Sequence, residues 1–584
     1  MKHLYLFLSL VGSLFLCTCV SRKSSENEEA ALPQKTAMEE NYSYVNMATI
    51  ADSLHFLLPD SSCIKQFYAD NHYDILWVKD IYEHAALDSL VYYMTQSSEH
   101  GLNPARFKQP ELVSLLDSLQ NNLYGKDDED RIHQAFSRLE MLCSQAYIDY
   151  VTGMKYGFVN PRTLFPKDYF IEIQTPDSVH YANLFVALKN TSIDSLQTAQ
   201  PADKQYRGLQ ALLKTYAAWQ DSAFVEIPFD KKKKNLTLNQ ADTILPLVAK
   251  RLMITGELAA TEHIDSLYSE LTPDLLAAIN RFQVNNSYPE LKELDGITVA
   301  SLNRPLSYYH QVIEANLERS RWKKVRPNSD KRIHVNVAAF MLQAFEPDEE
   351  PVTMNVCVGI AVKNQTPLME SDITYMNLNP NWNVPQSIFE KEIYWHLLRD
   401  STYLQKNRMQ VLTRSGEVVN PTTITWKSMN PKKSPYLIRQ EPGDANSLGR
   451  IKFMFNNPFA VYLHDTPSKR RFLMKNRAVS HGCVRVQNPM DLARVCLTNK
   501  DSVYFDRLRH SIDLPPLSAE GRKLLKAGKL KAINDIVNLD KKVQVIIDYA
   551  TAYPLADGNF YFADDVYLFD EKIREAMKTQ ENHE

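Results

Sequence analysis

A cysteine attacks a carbonyl as its thiolate, so a reactive cysteine needs a base within reach of its proton. In Ser480-His481-Gly482-Cys483 a serine, a histidine and a glycine stand directly before one cysteine, and His464 lies nineteen residues upstream of it. Gly482 lets the backbone turn so that main-chain N–H groups face a reacting carbonyl, which stabilising an oxyanion requires. Nucleophilic catalysis is the chemistry these types and spacings suit. Other readings of the same residues remain open. Cysteine is among the most buried residue types and packs as a small hydrophobe, and a buried histidine is often hydrogen-bonded filler. His464, His481 and Cys483 also resemble part of a zinc site, but they lack a fourth ligand at the usual spacing and any Cys-x-x-Cys partner.

The neighbouring elements must hold this turn. Asn488 and Pro489 read as the N-cap and first residue of a helix running through Met490–Thr498. Cys483 is therefore expected on a constrained turn between strand structure near Tyr462 and that helix.

His464, fifteen intervening residues and then Ser480-His481-Gly482-Cys483-Val484-Arg485 resemble the signature of the YkuD-type L,D-transpeptidase family, enzymes that cross-link bacterial peptidoglycan. Arg485, where many members have Asn, resembles the large YcbB-like periplasmic group. So do Asn379-Pro380-Asn381-Trp382-Asn383-Val384-Pro385, the run Glu441–Arg450, and Lys452-Phe453-Met454-Phe455. The resemblance implies Cys483 as nucleophile and His464 as base. It implies that Asp465 holds the imidazole tautomer through its backbone carbonyl, and that the Gly482 and Cys483 N–H groups form the oxyanion site. Ser480 and His481 tie the turn together, and Arg485, Trp382 and Asn383 contact substrate, Arg485 through a carboxylate or else as a structural ion-pair partner. It further implies a thioester acyl-enzyme made from a tetrapeptide donor and resolved by the amine of an acceptor stem, with no metal or organic cofactor. Resolution by water, as in an L,D-carboxypeptidase or cross-link hydrolase, is the alternative within enzymes. A non-catalytic wall-binding lipoprotein is the alternative outside them.

The rest of the chain reads as a multidomain α+β protein. Residues 1–19 have a basic start and an apolar core ending Leu16-Cys17-Thr18-Cys19, like a lipoprotein signal with Cys19 as the lipidated residue. That implies a membrane anchor and a periplasmic place in the bacterial cell envelope. Residues 20–43 are a polar tether. Residues 44–240 follow helical periodicity and resemble the helical scaffold of the large family members, with the aromatics around Phe67-Tyr68 and Ile75-Leu76-Trp77 as core and Lys231–Lys234 as a solvated loop. Residues 241–306, with Phe282-Gln283 and Asp295-Gly296 through Leu302-Asn303, resemble a small three-helix peptidoglycan-binding module. A connecting helix (307–330) leads to a mostly β catalytic domain (331–507), whose strand pattern is interrupted by an insertion (385–440) that the resemblance implies is a cap over the active site, the alternative being a plain surface insertion. Residues 508–584, with a strand at Val543–Tyr549, form a C-terminal extension that reads as the end of the catalytic domain plus a strut.

Bulk properties narrow the classes further. With 44% hydrophobic and 23% charged residues, the chain has ample material for several cores. A formal charge of −4, from 66 basic and 70 acidic residues, gives no electrostatic footprint for nucleic acid. Outside the leader, Cys63, Cys143, Cys357, Cys483 and Cys496 leave an odd thiol, a role that suits Cys483, with the others expected in the core.

Overall fold

From Arg332 onward, short runs of alternating apolar and polar residues pair into a mixed sheet, because each strand can bury one face while the other stays polar. The computed structural model describes residues 41–581 except 61, 80, 83–84, 125–127, 219–224, 231–234, 324–330 and 499. The expected signal segment with Cys19, nearly all of the tether, and the Lys231–Lys234 run lie outside the described residues. Among the described residues no helix is long and apolar enough to cross a membrane.

The sheet has nine strands: β1 (Arg332–Asn336), β2 (Met341–Phe345), β3 (Val352–Gly359), β4 (Met369–Leu378), β5 (Ile451–Phe455), β6 (Leu463–His464), β7 (Ala478–Ser480), β8 (Val484–Val486) and β9 (Ile536–Asp548). Their order is β7-β3-β8-β6-β5-β4-β9-β1-β2, and a further pairing of β2 with β3 brings all but β7 into a closed ring. β9 pairs with both β4 and β1, in the middle of the order. The sheet therefore runs past the boundary expected at 507. Residues beyond 508 do not extend a finished domain; they supply one of its inner strands.

The helical region is organised by α1 (Glu129–Tyr156), whose buried face runs from Ile132 to Met154. Inside it Glu140 is fully buried, and its carboxylate accepts from the backbone N–H groups of Leu76, Trp77 and Val78 and from the Tyr68 hydroxyl. The Trp77 indole N–H donates to Ser144 at 2.9 Å, so the aromatic cluster is core, as its spacing suggests.

The expected connecting helix is α2 (Leu306–Trp322), and it is a junction rather than a spacer. Glu318, wholly buried, accepts from the Phe158 and Val159 N–H groups and pairs with Arg321 at 2.9 Å. Asn316 bonds Thr551 on both sides, donating to its hydroxyl at 2.6 Å and accepting from its N–H. Arg319 pairs with Asp570 of the C-terminal helix α3 (Phe569–Glu581).

The small module keeps its own core, built on Leu245–Ile254, Pro273–Asn285 and Gly296–Leu302. It begins earlier than residue 241, because Ile227 is in that core and Leu236–Thr237 pairs with Glu293–Leu294. Gln283 is buried between Thr298 and the Leu291 N–H, so the Phe282-Gln283 motif does structural work. Tyr288 and Arg304 dock the module onto Asp564.

The insertion also has a separate core and a four-stranded sheet of Trp382–Asn383, Tyr436–Gln440, Met409–Thr413 and Val418–Val419.

Glu140→Ala should destabilise the protein by roughly 3–5 kcal/mol, because it strands several buried donors at once. The urea midpoint, read by tryptophan fluorescence of the Trp77 region, measures this. An unchanged midpoint would mean that the carboxylate does not hold residues 76–78.

Candidate active site

β6 and β8 lie parallel, with Leu463 opposite Val484 and His464 opposite Arg485, and the Val484 N–H donates to the Tyr462 carbonyl at 3.1 Å. Cross-strand partners share a face. His464, Arg485, Cys357 (opposite Arg485), Lys452 (opposite His464) and Asn377 (opposite Lys452) therefore form one row. The alternate row, Val484, Leu463, Phe453 and Met376, is buried core. One step along the strands, Cys483 comes opposite Tyr462, whose hydroxyl and backbone N–H face the thiol. The Cys483 Sγ also lies 3.8 Å from the Ala460 carbonyl.

His464 is buried, and its Nδ1 sits 2.5 Å from the Asp465 carbonyl oxygen. A carbonyl only accepts, so Nδ1 carries the proton and Nε2 holds the lone pair. Burial above all, and then the Arg485 and Lys452 cations, push the imidazole pKa down to about 3, while the Asp465 and Leu448 carbonyls pull the other way. Burial pushes the Cys483 thiol up; Tyr462, Lys452 and Arg485 counteract it. Burial thus disfavours both the thiolate of Cys483 and the imidazolium of His464.

The turn closes on Ser480, whose hydroxyl donates to the Cys483 carbonyl at 2.6 Å and accepts from the Gly482 N–H at 3.1 Å. Gly482 has φ +113, a conformation that favours glycine. The Gly482 N–H, expected as one of the oxyanion pair, is bonded inside the turn to the Ser480 hydroxyl. His481 does not tie the turn either. It is exposed, and its Nε2 lies 2.5 Å from Glu392 Oε1, in the π-helical turn Phe389–Ile393 of the insertion. The Asp465 carboxylate accepts from the Arg450 and Thr466 N–H groups and pairs with Lys469 at 2.6 Å.

Trp382 packs against the insertion core, and Asn383 accepts from Arg439 at 2.8 Å, so their contacts are with the insertion rather than with the Cys483 turn. Arg485 has a buried Nε with no acceptor. The carboxylate whose charge reaches Arg485, Glu392, is already engaged by His481. Among the described residues no group of three or more His, Cys, Asp or Glu is placed to hold a metal ion.

Neither Tyr462, Lys452 nor Glu392 is among the residues expected to act at the site, although Tyr462 and Lys452 stand in segments already named. Tyr462 stands two residues before His464 on an extended segment and so shares its face. Lys452 follows from the same alternation in the Lys452–Phe455 run, and its Nζ lies 3.7 Å from the Tyr462 ring centroid. Glu392 carries no such local signal.

Comparison with known proteins identifies the domains that carry these residues. Residues 330–505 match the family model for the YkuD L,D-transpeptidase catalytic domain, and residues 62–213 match the model named Scaffold domain. A Haemophilus influenzae protein named "Putative L,D-transpeptidase" is 31% identical over 263 residues, 45% of this chain and 49% of that protein, so the match spans about half of the relative's length. A solved L,D-transpeptidase from Xylanimonas cellulosilytica is 12% identical, covering 55% of this chain and all of that one, with a TM-score of 0.16. One from Stackebrandtia nassauensis is 14% identical, covering 54% and 97%, with a TM-score of 0.20. At those TM-scores the two solved structures carry no weight.

The depressed His464 pKa ties stability to pH. Unfolded, the imidazole takes a proton below its usual value near 6.5; folded, it stays neutral down to about 3. Its contribution is complete above about 6.5 and is lost as pH falls toward 3. Between pH 7 and pH 5 this group alone should cost about 2 kcal/mol. Urea midpoints of wild type and His464→Gln at both pH values test this: the variant should lose that much less. Equal losses would place the imidazole in water.

Proposed function

From a chain that carries a YkuD-type L,D-transpeptidase catalytic domain together with a Scaffold domain, we infer a peptidoglycan L,D-transpeptidase that forms 3→3 cross-links through a cysteinyl thioester. The observation that carries this reading is the shared face of β6 and β8. It sets Cys483, directly before β8, on the side of the sheet that carries His464 of β6, with the imidazole tautomer fixed by the Asp465 carbonyl.

In this reading the Cys483 thiol gives its proton to His464 Nε2 as the sulfur bonds to the carbonyl carbon of the third residue of a tetrapeptide stem. The Cys483 N–H faces the oxyanion. The C–N bond to the terminal D-alanine breaks, and the leaving amine takes the proton from His464. The amine of a second stem then attacks the thioester, its proton passes to His464, and the sulfur leaves and regains that proton as the thiol. A neutral imidazole is the form that can accept in both steps. The cationic pair Arg485 and Lys452 suits the free carboxylates of such stems, and a buried Nε without an acceptor favours Arg485 for that role. The insertion, joined to the motif through Glu392 and His481, closes one side and limits hydrolysis of the thioester by water. Export and lipidation at Cys19 complete the proposal and rest on residues 1–19 alone.

Purified protein with defined tetrapeptide muropeptides, read by mass spectrometry, tests the function. Cross-linked dimer supports it, tripeptide alone indicates a carboxypeptidase, and no change indicates a non-catalytic protein. A carbapenem should add its mass to wild type and not to Cys483→Ala; an adduct on the alanine variant would mean that the wrong thiol was chosen. His464→Ala should slow acylation by roughly 10²–10⁴-fold, partly recovered only as pH rises beyond the ordinary thiol value of about 8.5, because burial holds the Cys483 thiol above it. Replacing residues 388–432 with a short Gly/Ser linker should leave Cys483 acylation within about tenfold while shifting product from dimer to tripeptide. A folded deletion protein that cannot be acylated would put the insertion in the donor site.

A further inference from the structure

The Gly482 carbonyl is not free to turn. It accepts from the Thr366 hydroxyl at 2.9 Å, and that hydroxyl accepts in turn from the Gly359 N–H at 2.9 Å, so its proton is directed at Gly482. The Thr366 N–H donates to the Tyr567 hydroxyl at 3.1 Å, and Tyr567 donates to the Gly359 carbonyl at 2.7 Å. Thr366 and Tyr567 are both buried. Gly359 admits this arrangement because it lacks a Cβ, which would fall 1.9 Å from the Asn364 carbonyl oxygen.

The Gly482 carbonyl and the Cys483 N–H belong to one peptide, which is trans, so they point in opposite directions. Whatever fixes the carbonyl fixes the N–H. The Gly482 N–H is already bonded to Ser480, so the Cys483 N–H is the donor whose direction matters. We propose that Thr366, backed by Tyr567, is a positioning residue that holds the peptide between Gly482 and Cys483 with its N–H aimed at the oxyanion. This rests on the proposed acyl-transfer function and deepens it.

The helical region reaches the same loop. The Phe170 N–H donates to the Leu368 carbonyl at 2.7 Å, and the Leu368 N–H donates to the Asp168 carbonyl at 2.7 Å, two residues past Thr366. The Phe170 ring meets Phe459, centroids 4.5 Å apart, beside the Ala460 carbonyl that faces the thiol. The domain matched as Scaffold thus braces two loops that flank Cys483.

The test compares two reactions of Cys483 in the full chain. Acylation by a carbapenem builds charge on oxygen; alkylation by iodoacetamide does not. In Thr366→Val acylation should slow by roughly 10–100-fold, less than the loss of a whole oxyanion donor, while alkylation stays within about twofold. Thr366→Ser should restore acylation. Tyr567→Phe should give a smaller loss of the same kind, and it decides the matter if the valine variant does not fold. Unchanged acylation in the folded variants, or parallel loss of both reactions, would overturn the proposal. A wild type that alkylates but is never acylated would overturn the acyl-transfer reading itself, and this inference with it.

Discussion

The parallel register of β6 and β8 is the constraint on which the site depends. Side chains alternate along a strand, so moving one strand by a single residue would send His464 into the core row and Leu463 into the reactive one. The strands are short, two and three residues, and their own pairing is too slight to fix that register. What fixes it lies at their ends. The Asp465 carboxylate ties the end of β6 to Arg450 and Thr466, and Ser480 closes the turn that starts β8. Gly449 is required there, since a Cβ would come within 2.4 Å of the Asp465 carboxyl. The glycine and the aspartate are two halves of one fit.

Local chemistry was legible in the residues because the turn is local. Ser480, Gly482 and Cys483 form a closed set within four positions, and the Asp465 carbonyl is one residue from the imidazole it orients. Contacts that bridge distant segments left no such trace. His481 meets Glu392 across 89 residues, and Thr366 meets Gly482 across 116. The misplaced boundary at 507 has a similar cause. In β9 the alternation breaks at Leu539-Asp540-Lys541-Lys542, where the register with β4 shifts, so a long inner strand reads as a short one after a charged stretch.

The helix α2 shows how a polar sequence becomes a buried junction. Asn316, Glu318, Arg319 and Arg321 would be costly to bury without partners. Each finds one on a different element: Thr551 after β9, the Phe158–Val159 backbone, Asp570 on α3, and Tyr206 with the His100 carbonyl in the helical region. Removing any one partner leaves a buried charge or amide unsatisfied. The helical region, the sheet and the C-terminal helix are therefore coupled through side chains whose bonds have no alternative acceptor in water.

The position of β9 bears on the order of events during synthesis. A chain emerges N-terminus first, and until residues 536–548 follow, β1 and β4 each keep an unpaired edge and the ring stands open. Tyr567, which steadies Thr366, arrives later still. The nascent protein therefore holds its motif cysteine, once made, in an open ring until residues 536–548 follow. Closure of the ring around the motif thus waits on a strand that lies beyond it in the chain.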